Sequence, residues 1–273
     1  MRQLLFCAFL IASVHLVQGQ ESTALWHNGI VVCGVEDTDK VTGTDLGPVK
    51  TRDRAFSGAC TYAEVLDRVV DVAKTMGANL VRITRHKYPE IWNNCHRLEA
   101  EAYTVADPDS YVRLIDWSAS RKLKVADFKG KPDDTYASNV VALTQCGFGV
   151  ETNKVTMFQS PRYFVFCRFF CHDSWMKLSG RDDPKVLQHE QTHFDLDEVY
   201  ARKLLQALLL ARLNAGSLDR VNDIYGKIYD AYIIRQKQYD LETHHGTDDS
   251  EQEHWNKLIA SELNELEEFS TEK

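Results

Sequence analysis

The sequence predicts a mixed α+β protein: a small α/β domain, then an antiparallel sheet, then a run of helices. Three changes of pattern along the chain predict it. From Ala24 to about Val105, short apolar runs flank a single amphipathic stretch. From Tyr111 to Cys171, alternating apolar runs are broken by Gly, Pro and Asp. From Pro184 onward, apolar residues recur at helical spacing. A length of 273 residues suits one large or two modest domains. The composition, 44% hydrophobic and 26% charged, is that of an ordinary globular chain.

Taken in order, the chain opens on MRQLLFCAFLIASVHLVQGQ, with one basic residue, an apolar run from Leu4 to Val17, and Val17 and Gly19 at the positions a signal peptidase reads. Residues 1–19 therefore read as a secretory signal, with cleavage expected after Gly19. The rival reading, a membrane anchor, needs a longer apolar run, and no later segment supplies one. Secretion without a stable membrane anchor is the expectation. Removing the signal leaves Cys33, Cys60, Cys95, Cys146, Cys167 and Cys171, an even set entering an oxidising compartment, so disulfides are expected. Cys60 and Cys95 bracket one βαβ-like unit. No two cysteines have the CxxC spacing of a thiolate metal site, and there is no Asn-x-Ser/Thr acceptor for a glycan.

The small α/β domain is expected over residues 24–105. GIVVCGV reads as a strand, TYAEVLDRVVDVAKTMG as a helix with Val65, Val69, Val72 and Ala73 on one face, and NLVRITRHK and RLEAEAYTV as further strands. Gly77 closes the helix where a left-handed residue suits a C-terminus. His86 and His96 could bind a metal there, surface histidines being the plainer reading. ADPDSY marks the boundary, and a second domain is expected over 110–273. It begins with extended runs, SYVRLIDW, RKLKVADF, ASNVVALTQCGFGV and RYFVFCRFF.

Three helices complete it. Asp183 and Pro184 supply an N-cap and a first helical proline for a helix that runs to about Leu213, where NAGS stops it. A second, from near Ser217 to near Tyr239, places Val221, Ile224, Tyr225, Ile228, Tyr232 and Ile233 on one stripe. A third, from about Ser250, buries Trp255, Leu258, Ile259, Leu263 and Leu266. The net charge of -8, much of it in the glutamates near the end of the chain, argues against a nucleic-acid partner.

The first long helix carries His189, Glu190 and His193 in the pattern HExxH. Histidines four apart project from one face and can close on a single ion. The glutamate between them can take a proton from water whose pKa a zinc ion lowers to about 7. The plainer reading is three polar helix residues in a chance pattern. Zinc needs a third protein donor, and helix geometry says where to look. If the NAGS turn folds two antiparallel helices together, residues equally far from it lie side by side. Reflecting His189 and His193 across the turn lands near residues 237–242, where QYDLETHHG offers Asp240, Glu242, His244 and His245. Of these His245 is favoured, then Glu242, then His244; a polar helix C-terminus capped by Gly246 is the rival reading of THHG. Asp197, one turn beyond His193, is another candidate ligand. Asp195 could hold an imidazole from behind, and Tyr239 could steady a developing oxyanion.

LQHEQTHFDLDEVYARKL, YDLETHHG and EQEHWNKLI together resemble the DUF922 family, whose usual reading is HEQGHFDIxE followed by AR, then YDxxTxHG, then a Gln and a Trp. Thr192 stands where the family has glycine, and Glu198 matches the family's glutamate, close behind the ligands. LKVADFKGKPD and HDSWMK extend the resemblance, which spans roughly residues 115 to 265. It implies a secreted zinc-dependent protease on a zincin-like domain, with His189, His193 and His245 on the metal, Glu190 as the base, and a peptide or protein as substrate. A catalytically idle binding protein and a metal-sequestering protein are the rivals from other classes. The sequence leaves substrate, cleavage specificity and oligomeric state open.

Overall fold

The computed structural model describes residues 24–272 apart from 38–39, 51–60, 89–94, 134, 137–139, 153–160, 215–216 and 218. The chain is mixed α+β, with five α-helices among the described residues. It divides into two units, one from Ala24 to Asp116 and the other, Thr152 excepted, from Trp117 to Glu272. The division falls about ten residues beyond the boundary that ADPDSY suggests, because the chain adds one more strand to the first unit after that turn.

The first unit is a twisted sheet with one helix. Its strands are β1 (Leu25–His27), β2 (Ile30–Cys33), β3 (Thr44–Pro48), β4 (Leu80–Lys87), β5 (Arg97–Thr104) and β6 (Leu114–Asp116), laid out in the order β3-β5-β4-β2-β1-β6. β2 and β4 run parallel, joined through helix α1 (Tyr62–Thr75), which is the βαβ element expected from the sequence. Thr61 caps α1 in a capping box with Glu64, and Gly77 takes φ +82° just beyond its end. The apolar face of α1, Val65, Leu66, Val69, Val70 and Ala73, closes on Ile30, Val32, Val81, Ile83, Ala100 and Ala102 from β2, β4 and β5. Such a core, formed from two periodicities facing each other, is what stabilises a domain of this size.

The second unit contains β7 (Ala142–Leu143), β8 (Cys146–Thr152), β9 (Tyr163–Phe170) and β10 (Trp175–Met176), with β7 paired antiparallel to β10 and β8 beside β9. One expected strand is absent. Residues 121–128 form a short 3-10 turn over Val125–Asp127, because the buried guanidinium of Arg121 holds both oxygens of Asp127, at 3.1 and 2.8 Å, and Asp127 also accepts from the Lys124 amide. A bidentate buried pair six residues apart closes a loop that alternation alone reads as extended. After α2 (Leu178–Arg181) come α3 (Pro184–Ala211), α4 (Asp219–Glu242) and α5 (Asp249–Glu265). Asp183 caps α3 through the Lys185 amide, as its sequence dictates.

Residues 1–19, expected as a signal, lie outside the described residues, as does Cys60. Cys33, Cys146, Cys167 and Cys171 carry thiols, so the disulfides expected of them do not form. Burial pushes the Cys171 thiol up to about 12. No helix among the described residues is long and apolar enough to cross a membrane.

Candidate metal centre

α3 has no solvent face over its middle: from His189 to Arg202 every residue except Gln191 and Asp195 is buried. A helix enclosed in this way must find a partner for each polar group it brings inside. His189, His193 and Asp197 recur every four residues and form one stripe. On α4 Tyr232, Gln236 and Asp240 do the same. The bonds between the stripes run in opposite senses, Gln236 to His193 and Asp197, and Asp240 to His189 and His193, so the two helices are antiparallel.

At the top of the paired stripes three donors converge. The Nε2 atoms of His189 and His193 are 3.1 Å apart, and Asp240 Oδ1 lies 3.3 and 3.1 Å from them. All three residues are buried, and among the described residues they are the group whose ligand atoms fall within 4.8 Å of one another.

The amides behind the rings fix what those nitrogens carry. Gln236 donates through Nε2 to the His193 carbonyl and to Asp197, so its Oε1, 2.5 Å from His193 Nδ1, accepts from that nitrogen. Gln252 donates to Asn256, and its Oε1 accepts from the Tyr239 hydroxyl and from His189 Nδ1 at 3.1 Å. Both protons therefore sit on Nδ1, and both Nε2 atoms present lone pairs. Asp240 Oδ1 is buried and makes no hydrogen bond. Three such donors facing one another could hold a metal ion between them. A tetrahedral ion with bonds of about 2.0–2.1 Å spaces its ligands roughly 3.3–3.4 Å apart, close to the spacing here. The residues fit zinc.

The other candidates occupy different places. Glu190 is 1% exposed, and its Oε2 has no hydrogen-bond partner. His245, favoured from sequence as the third ligand, stands 3.5 Å by Nδ1 from Asp240 Oδ1 and falls outside the convergent group. The chain turns through left-handed backbone at His244, His245 and Gly246, with φ +48°, +55° and +74°, which carries the His245 ring beside the carboxylate instead of into the three-donor set. Gly246 has a role that a helix cap does not explain. A Cβ there would lie 2.9 Å from the His189 ring, so only glycine lets the turn close over that imidazole.

Asp197 does not reach the donors. It holds Gln236, and burial raises its pKa to about 6 against hydrogen bonds from Cys146, Tyr232 and Gln236. Glu242 accepts from Trp255 Nε1 and Gln238, and His244 is exposed. Asp195 accepts from Trp117, Gln191 and Lys122 and touches no imidazole. Glu198 binds Arg202 and the Thr271 amide and hydroxyl, so it fastens the end of the chain to α3; burial raises it to about 7 against those bonds. The Tyr239 hydroxyl is spent on Gln252 and the His189 carbonyl, and its ring stacks on His189 at 4.7 Å. These contacts hold Tyr239 against the His189 ring.

Sequence reasoning placed Asp240 at the right level without ranking it, and it missed Gln236 and Gln252. The signal for Asp240 and Gln236 was present. The pairs 189 and 240, 193 and 236, and 197 and 232 share one midpoint, beside Asn214.

No curated protein and no solved structure matches the chain. Residues 176–246 match the family model described as "Bacterial protein of unknown function (DUF922)", a narrower span than the resemblance read from sequence. That span holds His189, Glu190, His193, Asp240, His245 and Gly246. The helical segment that carries the donors is thus similar to the DUF922 family over that span.

Proposed function

We propose that this centre binds zinc and hydrolyses peptide bonds in an exported protein. The convergence of two Nε2 lone pairs and an unbonded Asp240 oxygen supports the metal, and the unpartnered Glu190 oxygen supports the chemistry. The leader-like first twenty residues support export.

His189, His193 and Asp240 would hold the ion, three protein donors being the usual number in catalytic zinc sites. When bound, zinc acts as a Lewis acid that polarises a carbonyl and acidifies water. Glu190 takes the proton of the attacking water and returns it to the leaving amine; a carboxylate with an uncommitted oxygen is suited to both transfers. Gln236 and Gln252 keep both imidazoles in the tautomer that faces the ion. Tyr239 packs against both rings and limits their rotation.

A second reading has its own observation. His245 lies next to Asp240 in a buried site, and four protein donors would make a closed, structural centre. The substitution Glu190→Gln separates the two. In a peptidase it leaves bound zinc at one per chain and lowers peptide cleavage by about 100-fold or more. Cleavage equal to that of the unaltered protein, or none in either, would remove the hydrolase reading, and zinc content measured on the same samples reports the site independently.

A further inference from the structure

The unit from Ala24 to Asp116 contains a second pair of convergent histidines, unrelated to the helical centre. His86 lies near the end of β4, where it is in register with Leu98, and His96 immediately precedes β5. Their nitrogens, His86 Nε2 and His96 Nδ1, are 2.8 Å apart. Two tyrosines hem the rings in. Tyr62 from the start of α1 lies 5.1 and 6.0 Å from them, and Tyr88 lies 4.0 and 6.0 Å away, centroid to centroid. Burial lowers the His86 pKa from its ordinary 6.5, so the ring is a neutral donor at neutral pH.

In the neutral pair one ring gives an N–H to the lone pair of the other. A metal ion can replace that shared proton, and the spacing selects its geometry. Neighbouring ligands on a square-planar ion with bonds of about 2.0 Å lie roughly 2.8–2.9 Å apart, whereas a tetrahedral ion spreads them to about 3.3–3.4 Å. The helical centre has the wider spacing and this pair the narrower. We propose that His86 and His96 form a second metal site, for a copper(II)-type ion held at two adjacent square-planar positions with water at the others. Copper(II) also binds nitrogen donors more strongly than the other first-row divalent ions, so a site with only two protein ligands suits it best. On binding, the proton between the rings leaves to solvent, and no electron is transferred.

The test uses the full chain, first loaded with one equivalent of Zn(II) and then titrated with Cu(II). The unaltered protein is expected to take up a copper ion whose electron paramagnetic resonance spectrum shows axial symmetry and coupling to two nitrogens. The double substitution His86→Asn with His96→Asn is expected to bind one Cu(II) fewer per chain while keeping its zinc. Equal copper uptake by both proteins overturns the proposal. So does a spectrum without nitrogen coupling in the unaltered chain, a result that stands even if the double variant fails to fold.

Discussion

Two regions of the molecule bury histidine, and they treat it in opposite ways. In the first unit His27, on β1, is clamped between two carboxylates, with Nδ1 2.6 Å from Asp116 and Nε2 2.7 Å from Asp67. Burial alone would lower its pKa, but the hydrogen bonds to Asp116 and Asp67 outweigh it and raise the value to about 9. His27 is a fixed cation. In the second unit His189 and His193 are backed by amides, which accept one proton from each ring and supply no charge. Their outer nitrogens stay available as ligands. The partner on the far side of an imidazole therefore decides whether a buried histidine serves as a charge or as a donor.

The largest effect expected is at His27. Its removal in His27→Ala leaves Asp67 and Asp116 facing each other without their cation, a change that costs about 3–5 kcal/mol when a buried pair is broken. Chemical denaturation of the two proteins at pH 6 measures it. The contribution also carries a pH signature. Because the folded pKa, about 9, exceeds the unfolded value of 6.5, the stabilisation is complete below pH 6.5 and is lost as pH rises through 9. Stability that declines equally in both proteins across that window would show that His27 is not the charged member of the pair.

These two regions also show what a sequence discloses. Helices with caps were legible: Asp183 and Pro184 announced α3, and Gly77 closed α1. The mirror symmetry about the turn after α3 put the third donor at the right height, since both helices rise at one rate. Asp240 and not His245 joins the two rings in the convergent group, because register along α4 decides which donor reaches them. Asp240 completes a four-residue stripe with Tyr232 and Gln236, while His245 lies past the last turn of α4. The 3-10 turn at Val125–Asp127 was hidden because its cause, the Arg121–Asp127 pair, is a side-chain event within an alternating stretch. Neither carboxylate of the His27 clamp could be foreseen, for β1, α1 and β6 meet there only in the folded unit.

The amide brace gives the next effect. Gln236→Leu keeps the size of the side chain but removes the acceptor from His193 Nδ1 and one of the donors to Asp197, freeing the ring to turn or change tautomer. Zinc affinity is expected to fall by about 10–100-fold, the usual cost of losing the group behind a metal-bound histidine. Competition with a chromophoric chelator reads this directly. Affinity unchanged in Gln236→Leu would mean that the ring is held by packing against Tyr239 alone, and the contrast with His27 would then lose its physical basis.

The brace has an outer member, and it should matter least. Asn256 Oδ1 accepts from Gln252 Nε2 at 2.9 Å and from the Thr192 hydroxyl at 2.9 Å, so it orients the amide that orients His189. Asn256→Ala removes one neutral hydrogen-bond acceptor two bonds away from the ion, for which about 0.5–1.5 kcal/mol is typical, a loss of roughly 2- to 13-fold in zinc affinity. Gln252 still has the Tyr239 hydroxyl on its oxygen, so the tautomer of His189 survives. The expected order, His27 above Gln236 above Asn256, follows from charge first and distance from the donors second. A loss at Asn256 as large as that at Gln236 would reverse the second step and place the decisive restraint on α5 instead of α4.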